Sequence, residues 1–379
     1  MHALCDRIGA GRVVAGIVDH GLRQGSKDEA RLAARIATAA GVAARVSTLA
    51  WEGSGRRSQA ALRARRYAAL CALARKEGAD LIAVAHTADD QAETVFMRAT
   101  RAGDWRGLAG MAPVAAVPLW PEGRGLRLAR PFLGLRRAGL RAWLAQHGRQ
   151  WIEDPSNQIV AYERVRARRR LATLERKGAE PIRLALLAER LRPMCDAVDQ
   201  AAAAWLSRTV KIEDGKVSVP MGSIRGPSAT RALACLIAAV SGAATPPTSA
   251  RVASLAASLG ELRFRGATLG GARVSQQDGW VRFCRDPGAV LGRAGVAPVA
   301  SVGLSAGEPV VWDGRVLVCA HESGWLIEPA GEGGDPTAPR LRRGRACLTL
   351  AGAVRDGAAD AEWLIGAHFR HLLPAFTPG

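Results

Sequence analysis

Residues 81–101 read Leu81-Ile-Ala-Val-Ala-His86-Thr-Ala-Asp-Asp90-Gln-Ala-Glu93-Thr-Val-Phe-Met-Arg98-Ala-Thr-Arg101, and Gly107-Leu-Ala-Gly-Met111 follows six residues on. The apolar run at 81–85 is the pattern of a strand buried on both faces of a parallel sheet. A helix is expected next. Thr87 can cap it, and Asp89 and Asp90 fall in its first turn, where carboxylates suit the positive end of the helix dipole. Ala92, Val95, Phe96 and Ala99 recur at helical spacing for the sheet side. Asp90, Glu93, Met97 and Arg101 share another face. Thr-x-x-Asp is also close to a capping box, which alone accounts for a lone acid at that position. Gln91 and Glu93 exceed the need of a cap. His86 stands at the strand's carboxyl end, where open α/β sheets place ligands.

Working outward, residues 13–18 form a second apolar run ending in Asp19-His20-Gly21-Leu-Arg23, a polar turn at a strand's carboxyl end. Helices are expected at 27–40 and 58–76, with a strand at 42–51 and a Gly-Ser-Gly turn at 53–55. Alternating strands and helices mean βαβ units and a mostly parallel sheet. A basic amphipathic helix at 135–147 carries Arg136, Arg137 and Arg141. Beyond it come Asp154-Pro-Ser-Asn157, Tyr162 and the run Arg164, Arg166, Arg168, Arg169, Arg170. A solvated basic face accounts for that run as well as a phosphate-tracking one does.

The segment from His86 to Met111, with Val18-Asp-His-Gly-Leu-Arg23 and the Asp-Pro-Ser-Asn, Tyr and Arg run, resembles the tRNA(Ile)-lysidine synthases, members of the PP-loop ATPases. The resemblance implies an α/β fold, a Rossmann-like (adenine nucleotide α-hydrolase-like) parallel sheet domain at 1–172. A mostly helical middle domain at 173–287 and a small β-containing domain at 288–379 follow. It implies ATP and Mg²⁺ as cofactors, with L-lysine and a CAU-anticodon tRNA(Ile) as partners. The reaction implied adenylates the wobble cytidine at C2, and the amine of lysine then displaces AMP to give lysidine. Asp90, Glu93 and His86 would be catalytic. Asp19, His20, Gly21 and His86 would bind ATP, and Arg98, Arg101, Arg164, Arg166, Arg168 and Arg169 would bind tRNA.

Two departures from the family pattern stand out. Ile159 occupies a position where the family usually carries Asp. The Ser-Gly-Gly-x-Asp-Ser turn, whose backbone amides cradle pyrophosphate, occurs nowhere in the chain. Residues 1–11 resemble the remainder of the helix that follows that turn, so the start is expected to lie just downstream of the loop, through a miscalled start codon or a real truncation. Two alternatives therefore stand beside the ligase: a non-catalytic tRNA-binding protein, and a PP-loop enzyme that thiolates tRNA.

Composition fits a polyanionic partner. Lys and Arg number 53 against 34 acids, a net charge of +19. At 379 residues there is room for two or three cores. Seven dispersed cysteines without a Cys-x-x-Cys pair argue against a disulfide framework or metal knuckle and for a reduced, cytoplasmic setting. Asp6 and Arg7 interrupt any signal-peptide core. The uncharged stretch at 232–250 contains Gly242, Pro246 and Pro247, so no membrane span is expected there. Monomer and homodimer are both compatible with this sequence.

Overall fold

The computed structural model describes residues 1–21, 25–50, 58–101, 104–149, 151, 162–261, 264–293, 295–330, 335 and 337–377. The expectations placed on Arg23, on the turns at 53–55 and 154–157, and on Ile159 lie outside them. The chain divides into two compact units, Met1–Cys195 and Asp196–Gly379.

The first unit runs α1 (His2–Ile8), β1 (Val14–Asp19), α2 (Ser26–Ala39), β2 (Ala43–Thr48), α3 (Gln59–Lys76), β3 (Leu81–Ala83), α4 (Ala88–Ala99), α5 (Trp105–Leu108), β4 (Val114–Ala116), β5 (Arg127–Ala129), α6 (Arg137–Gln146) and α7 (Glu163–Arg176). Helix α8 (Ile182–Thr209) passes through the division. Strands β1 and β2 pair in parallel from Val14↔Ala43 to Asp19↔Thr48. Strands β3 and β5 are also parallel, with β4 antiparallel on the far side of β5. This is the α/β, parallel-strand architecture that the strand–helix alternation predicts. Ser58 caps α3 through its hydroxyl, so that helix starts where its sequence signal ends. Tyr67, Cys71, Ile82, Val117, Leu126 and Leu128 form the core between α3 and the β3–β5–β4 sheet.

The strands are less buried than continuous apolar runs suggest. Leu81 is 44% exposed and Val14 39%. Covered and uncovered positions alternate along the first half of β1, and in β2 only Ala44 and Ser47 are part-covered. Small residues explain the misreading: Ala and Gly make a run look apolar without requiring burial.

The second unit begins with β6 (Lys211–Glu213), β7 (Lys216–Pro220), α9 (Gly226–Ser241), α10 (Ser249–Ser258), β8 (Ala267–Leu269), β9 (Ala272–Gln277) and β10 (Trp280–Arg285). It continues through α11 (Pro287–Val290), β11 (Val302–Leu304), β12 (Pro309–Trp312), β13 (Val316–Ala320), β14 (Trp325–Pro329), β15 (Pro339–Arg343), β16 (Ala346–Thr349), α12 (Leu350–Arg355), β17 (Ala359–Trp363) and α13 (Ile365–Leu372). Its sheets are ordered β6-β7-β10-β9-β8, β11-β14-β15-β16 and β12-β13-β17. Helix α9 is buried from Ala232 to Ser241 and packs against Val217, Val274 and Phe283. It is therefore apolar because it is enclosed, and no described helix is long and apolar enough to cross a membrane. Ile365 and Phe369 of α13, with Phe376 beyond it, return to that same core. A second core gathers Trp312, Val316, Val318, Ile327 and Leu341.

Three hairpins turn on Asp-Gly pairs with positive φ at both residues: Asp214-Gly215, Asp278-Gly279 and Asp313-Gly314. That backbone matches the twist of the flanking strands.

His368 on α13 is fully buried, and desolvation, aided by the neighbouring His371, lowers its pKa from 6.5 to about 3. The unfolded chain takes up a proton there near pH 6.5 and the native chain does not. Stability is thus unaffected by His368 above that range and is lost as pH falls from 6.5 toward 3, by up to about 1.4 kcal/mol per pH unit. Urea melts of His368→Gln should show a smaller loss between pH 7 and pH 4.5 than the parent does. Parallel losses would remove His368 as a cause.

Candidate active site

Helix α4 starts at the carboxyl end of β3, and its first turn is a complete capping box. Asp90 Oδ2 accepts from the Thr87 amide at 2.8 Å and the Thr87 hydroxyl at 2.7 Å, and the Asp90 amide reaches that hydroxyl at 3.4 Å. Asp90 Oδ1 is turned to Arg137 Nη2, 3.2 Å away. Burial pushes the Asp90 carboxyl up, but the two Thr87 bonds and the charges of Arg164 and Arg137 outweigh it, and its pKa falls below the usual value. Asp89 accepts from Arg136 Nε at 3.0 Å and from the Arg137 amide at 2.7 Å, so it closes the start of α6.

One turn further, Glu93 is nearly closed off, with 2% of its side chain exposed. Three guanidiniums converge on it: Arg168 at 2.7 Å, Arg164 at 3.1 Å and Arg137 at 3.8 Å. Arg164 also donates to the Thr94 hydroxyl. Three guanidiniums face the two carboxylates of Asp90 and Glu93, and with Arg136, Asp89 and Glu175 beside them the cluster holds as many acids as arginines. Beside them a small, half-open pocket of about 90 Å³ is lined by Asp89, Glu93 and Glu175 facing Arg136, Arg137 and Arg168.

The signature's second half folds back on α4. Gln91 accepts from the Met111 amide and donates to its carbonyl, at 2.8 and 2.9 Å. Gly110 holds φ +59°, and a Cβ there would sit 2.6 Å from Gln91 Oε1, so only glycine fits. Arg98 donates to the Gly107 and Gly110 carbonyls, Arg192 to those of Ala109 and Gly110, and Arg130 to that of Ala112.

The predicted residues therefore separate. His86, Asp90, Glu93, Arg164 and Arg168 meet at one place. His86 stands at the head of α4, and burial, then the charge of Arg130, lowers its pKa to about 4, so the ring is neutral at pH 7. Arg98 braces the 107–110 loop. Arg101 pairs with Glu163 on the surface. Arg166 and Arg169 point outward from α7 with Arg170. At the end of β1, Asp19 is buried, and bonds from the Ser26 side chain and the Gly21 amide (2.9 Å) hold its carboxyl below the usual range. His20 and Gly21 complete that turn. Among the described residues no group of three or more His, Cys, Asp or Glu could hold a metal ion. Asp89, Asp90 and Glu93 are all turned to arginines, so these side chains as arranged do not fit Mg²⁺.

Sequence reading missed Arg137, Asp89 and Arg130. Arg137 reads as part of a solvated helix 47 residues from Asp90, and nothing local signals the pairing.

Residues 2–175 match the family model of a PP-loop domain. The chain is 39% identical to the tRNA(Ile)-lysidine synthase of Hyphomonas neptunium over 70% of its own length and 71% of the relative's. It is 36% identical to that of Ruegeria pomeroyi, over 83% and 72% of the two chains. With that of Caulobacter vibrioides it shares 35% over 93% and 80%. With a PP-loop domain ending beside α7 and these similarities extending well beyond it, the chain belongs to the tRNA(Ile)-lysidine synthases, ligases of the PP-loop family.

Proposed function

We propose that the chain forms lysidine, joining free L-lysine to C2 of the wobble cytidine of a CAU-anticodon tRNA(Ile) after ATP has adenylated that base. The observation that carries this reading is the convergence of Asp90, Glu93, His86 and three guanidiniums at the carboxyl end of β3. ATP would supply the adenylyl group, its α–β phosphoanhydride bond breaking with release of pyrophosphate as the C2 oxygen bonds to the α-phosphorus, and that oxygen becomes a leaving group. The amine nitrogen then bonds to C2, the C2–oxygen bond breaks, AMP departs with that oxygen, and the amine's surplus protons pass to solvent.

The chain's residues fit this division of work. Asp90 stays ionised and offers a fixed negative charge to the ammonium of lysine or to the cation formed at nitrogen. The guanidinium donors of Arg137, Arg164 and Arg168 suit a departing phosphoryl group. The neutral His86 ring can contact the adenylyl group or the cytosine without adding charge. Acids opposing guanidiniums across the neighbouring cavity suit a zwitterionic amino acid.

The test compares the 379-residue chain with the same chain extended by a Ser-Gly-Gly-x-Asp-Ser segment. The extended chain should incorporate labelled lysine, and neither cysteine nor sulfide, into CAU-anticodon tRNA(Ile). Equal labelling of elongator methionine tRNA, or sulfur transfer, would refute the proposal.

RNA contact falls to the outward face of α7. Replacing Arg169 and Arg170 with Ala should weaken tRNA binding and reduce the log–log salt slope by about one to two units, if each neutralises a phosphate. Filter binding across a salt series reads this directly. An unchanged slope would return that face to simple solvation.

A further inference from the structure

Arg130 lies one residue beyond β5 and is only 6% exposed. Its Nη1 donates to the Ala112 carbonyl at 2.6 Å and its amide to Pro113 O at 2.8 Å, but its Nε is buried without a partner. Among the described residues no carboxylate pairs with it. The charged groups around it include the guanidiniums of Arg63, Arg192 and Arg98. A buried guanidinium answered only by a carbonyl dipole is costly, so the fold keeps a positive charge here that the described residues leave uncompensated.

The position of that charge is specific. Strands β3 and β5 are parallel neighbours, and the Val84 amide extends the ladder to Ala129 O at 2.9 Å. Val84 therefore falls beside Arg130, two residues before His86, at the carboxyl edge of both strands, the place where open parallel sheets take ligands. There His86 Nδ1 is likewise buried and without a partner. The ring is neutral for the reasons given, and Arg130 is the strongest charge acting on it. Two orphaned polar groups thus meet at one strand edge, one of them a cation.

We propose that Arg130 is a further binding residue of this site and that, with His86, it receives a phosphoryl oxygen: the guanidinium donates from Nε, and the imidazole donates from Nδ1–H in its neutral tautomer. This rests on the proposed lysidine chemistry only for the source of the phosphate, which is either the nucleotide or the RNA backbone beside the wobble base. Arg130 then braces the 107–112 loop with one nitrogen and holds substrate with another.

Affinities of the full chain for α,β-methylene-ATP and for a CAU anticodon stem-loop, before and after Arg130→Gln, separate the sources. A rise of about tenfold or more in Kd for the nucleotide alone assigns the contact to the nucleotide. The same rise for the RNA alone assigns it to the backbone. Arg130→Lys, which keeps the charge but lacks Nε–H, should recover only part of the loss. A folded Arg130→Gln with both affinities unchanged, or a parent chain that binds neither probe, overturns the proposal. Should Arg130→Gln fail to fold, ¹⁵N spectra of the parent decide: the His86 Nδ1 resonance, assigned by its loss in His86→Gln, must move on adding one of the probes. A resonance that stays put overturns it equally. If Arg130 binds a probe in this way but the chain carrying the Ser-Gly-Gly-x-Asp-Ser segment transfers no lysine, the proposed function falls and this assignment stands.

Discussion

Asp90→Asn, in the chain extended by the phosphate-loop segment, should transfer lysine about a hundredfold more slowly in a single turnover, as loss of a fixed charge beside a reacting centre commonly does. Its effect on tRNA affinity should be small. The geometry makes this variant informative because Asp90 has two separable duties. Through Oδ2 it completes the cap of α4, and an asparagine oxygen can still accept the Thr87 amide. Through Oδ1 it faces Arg137 with a full negative charge, which asparagine lacks. Loss of the cap costs about 1 kcal/mol. Melting curves and single-turnover rates measured on the same preparation separate the duties. A destabilised but fully active Asp90→Asn would reduce Asp90 to a capping residue and end its catalytic assignment.

The largest stability effect is expected in the second unit. Asp313 sits at φ +51° in an Asp-Gly turn and accepts from two arginines: Arg315 at 2.7 Å and Arg285 at 3.0 Å through both nitrogens. Arg315 is 1% exposed and Arg285 nearly buried, and burial already lowers the Arg315 pKa. Asp313→Asn keeps the residue's tolerance for that backbone but removes the charge, leaving both guanidiniums without the carboxylate they share. Such a break costs about 3–5 kcal/mol. Urea unfolding should show it as a fall in midpoint with an unchanged slope. A change below about 1 kcal/mol would mean that the Thr337 and Gly271 carbonyls, which also accept from these arginines, are sufficient partners.

The legible parts of this chain were those encoded locally. Thr87 through Glu93 announced a capped helix, and the acids, His86 and two of the arginines do assemble there. Asp-Gly pairs at 214, 278 and 313 are equally local hairpin signals. What stayed illegible depends on distant partners. Arg98 reads as a surface cation, yet its loop carbonyls lie within a dozen residues and capture it. Arg164 and Arg168 read as a basic stripe because their common partner, Glu93, is about seventy residues earlier. Arg130 had no pattern at all, since a single arginine after a three-residue strand carries no periodicity.

The return of Ile365, Phe369 and Phe376 to the α9 core has a consequence for how this chain is made. Ribosomes work from the amino end, and at about 5–20 residues per second the segment that roofs α9 emerges on the order of ten seconds after it. Throughout that interval Leu233, Leu236 and Ile237 lack one wall of their burial site. An apolar helix waiting in that state is a ready target for chaperones, and for sister chains on the same message. The translation rate between codons 241 and 365 is therefore a lever on soluble yield that acts without altering a single residue.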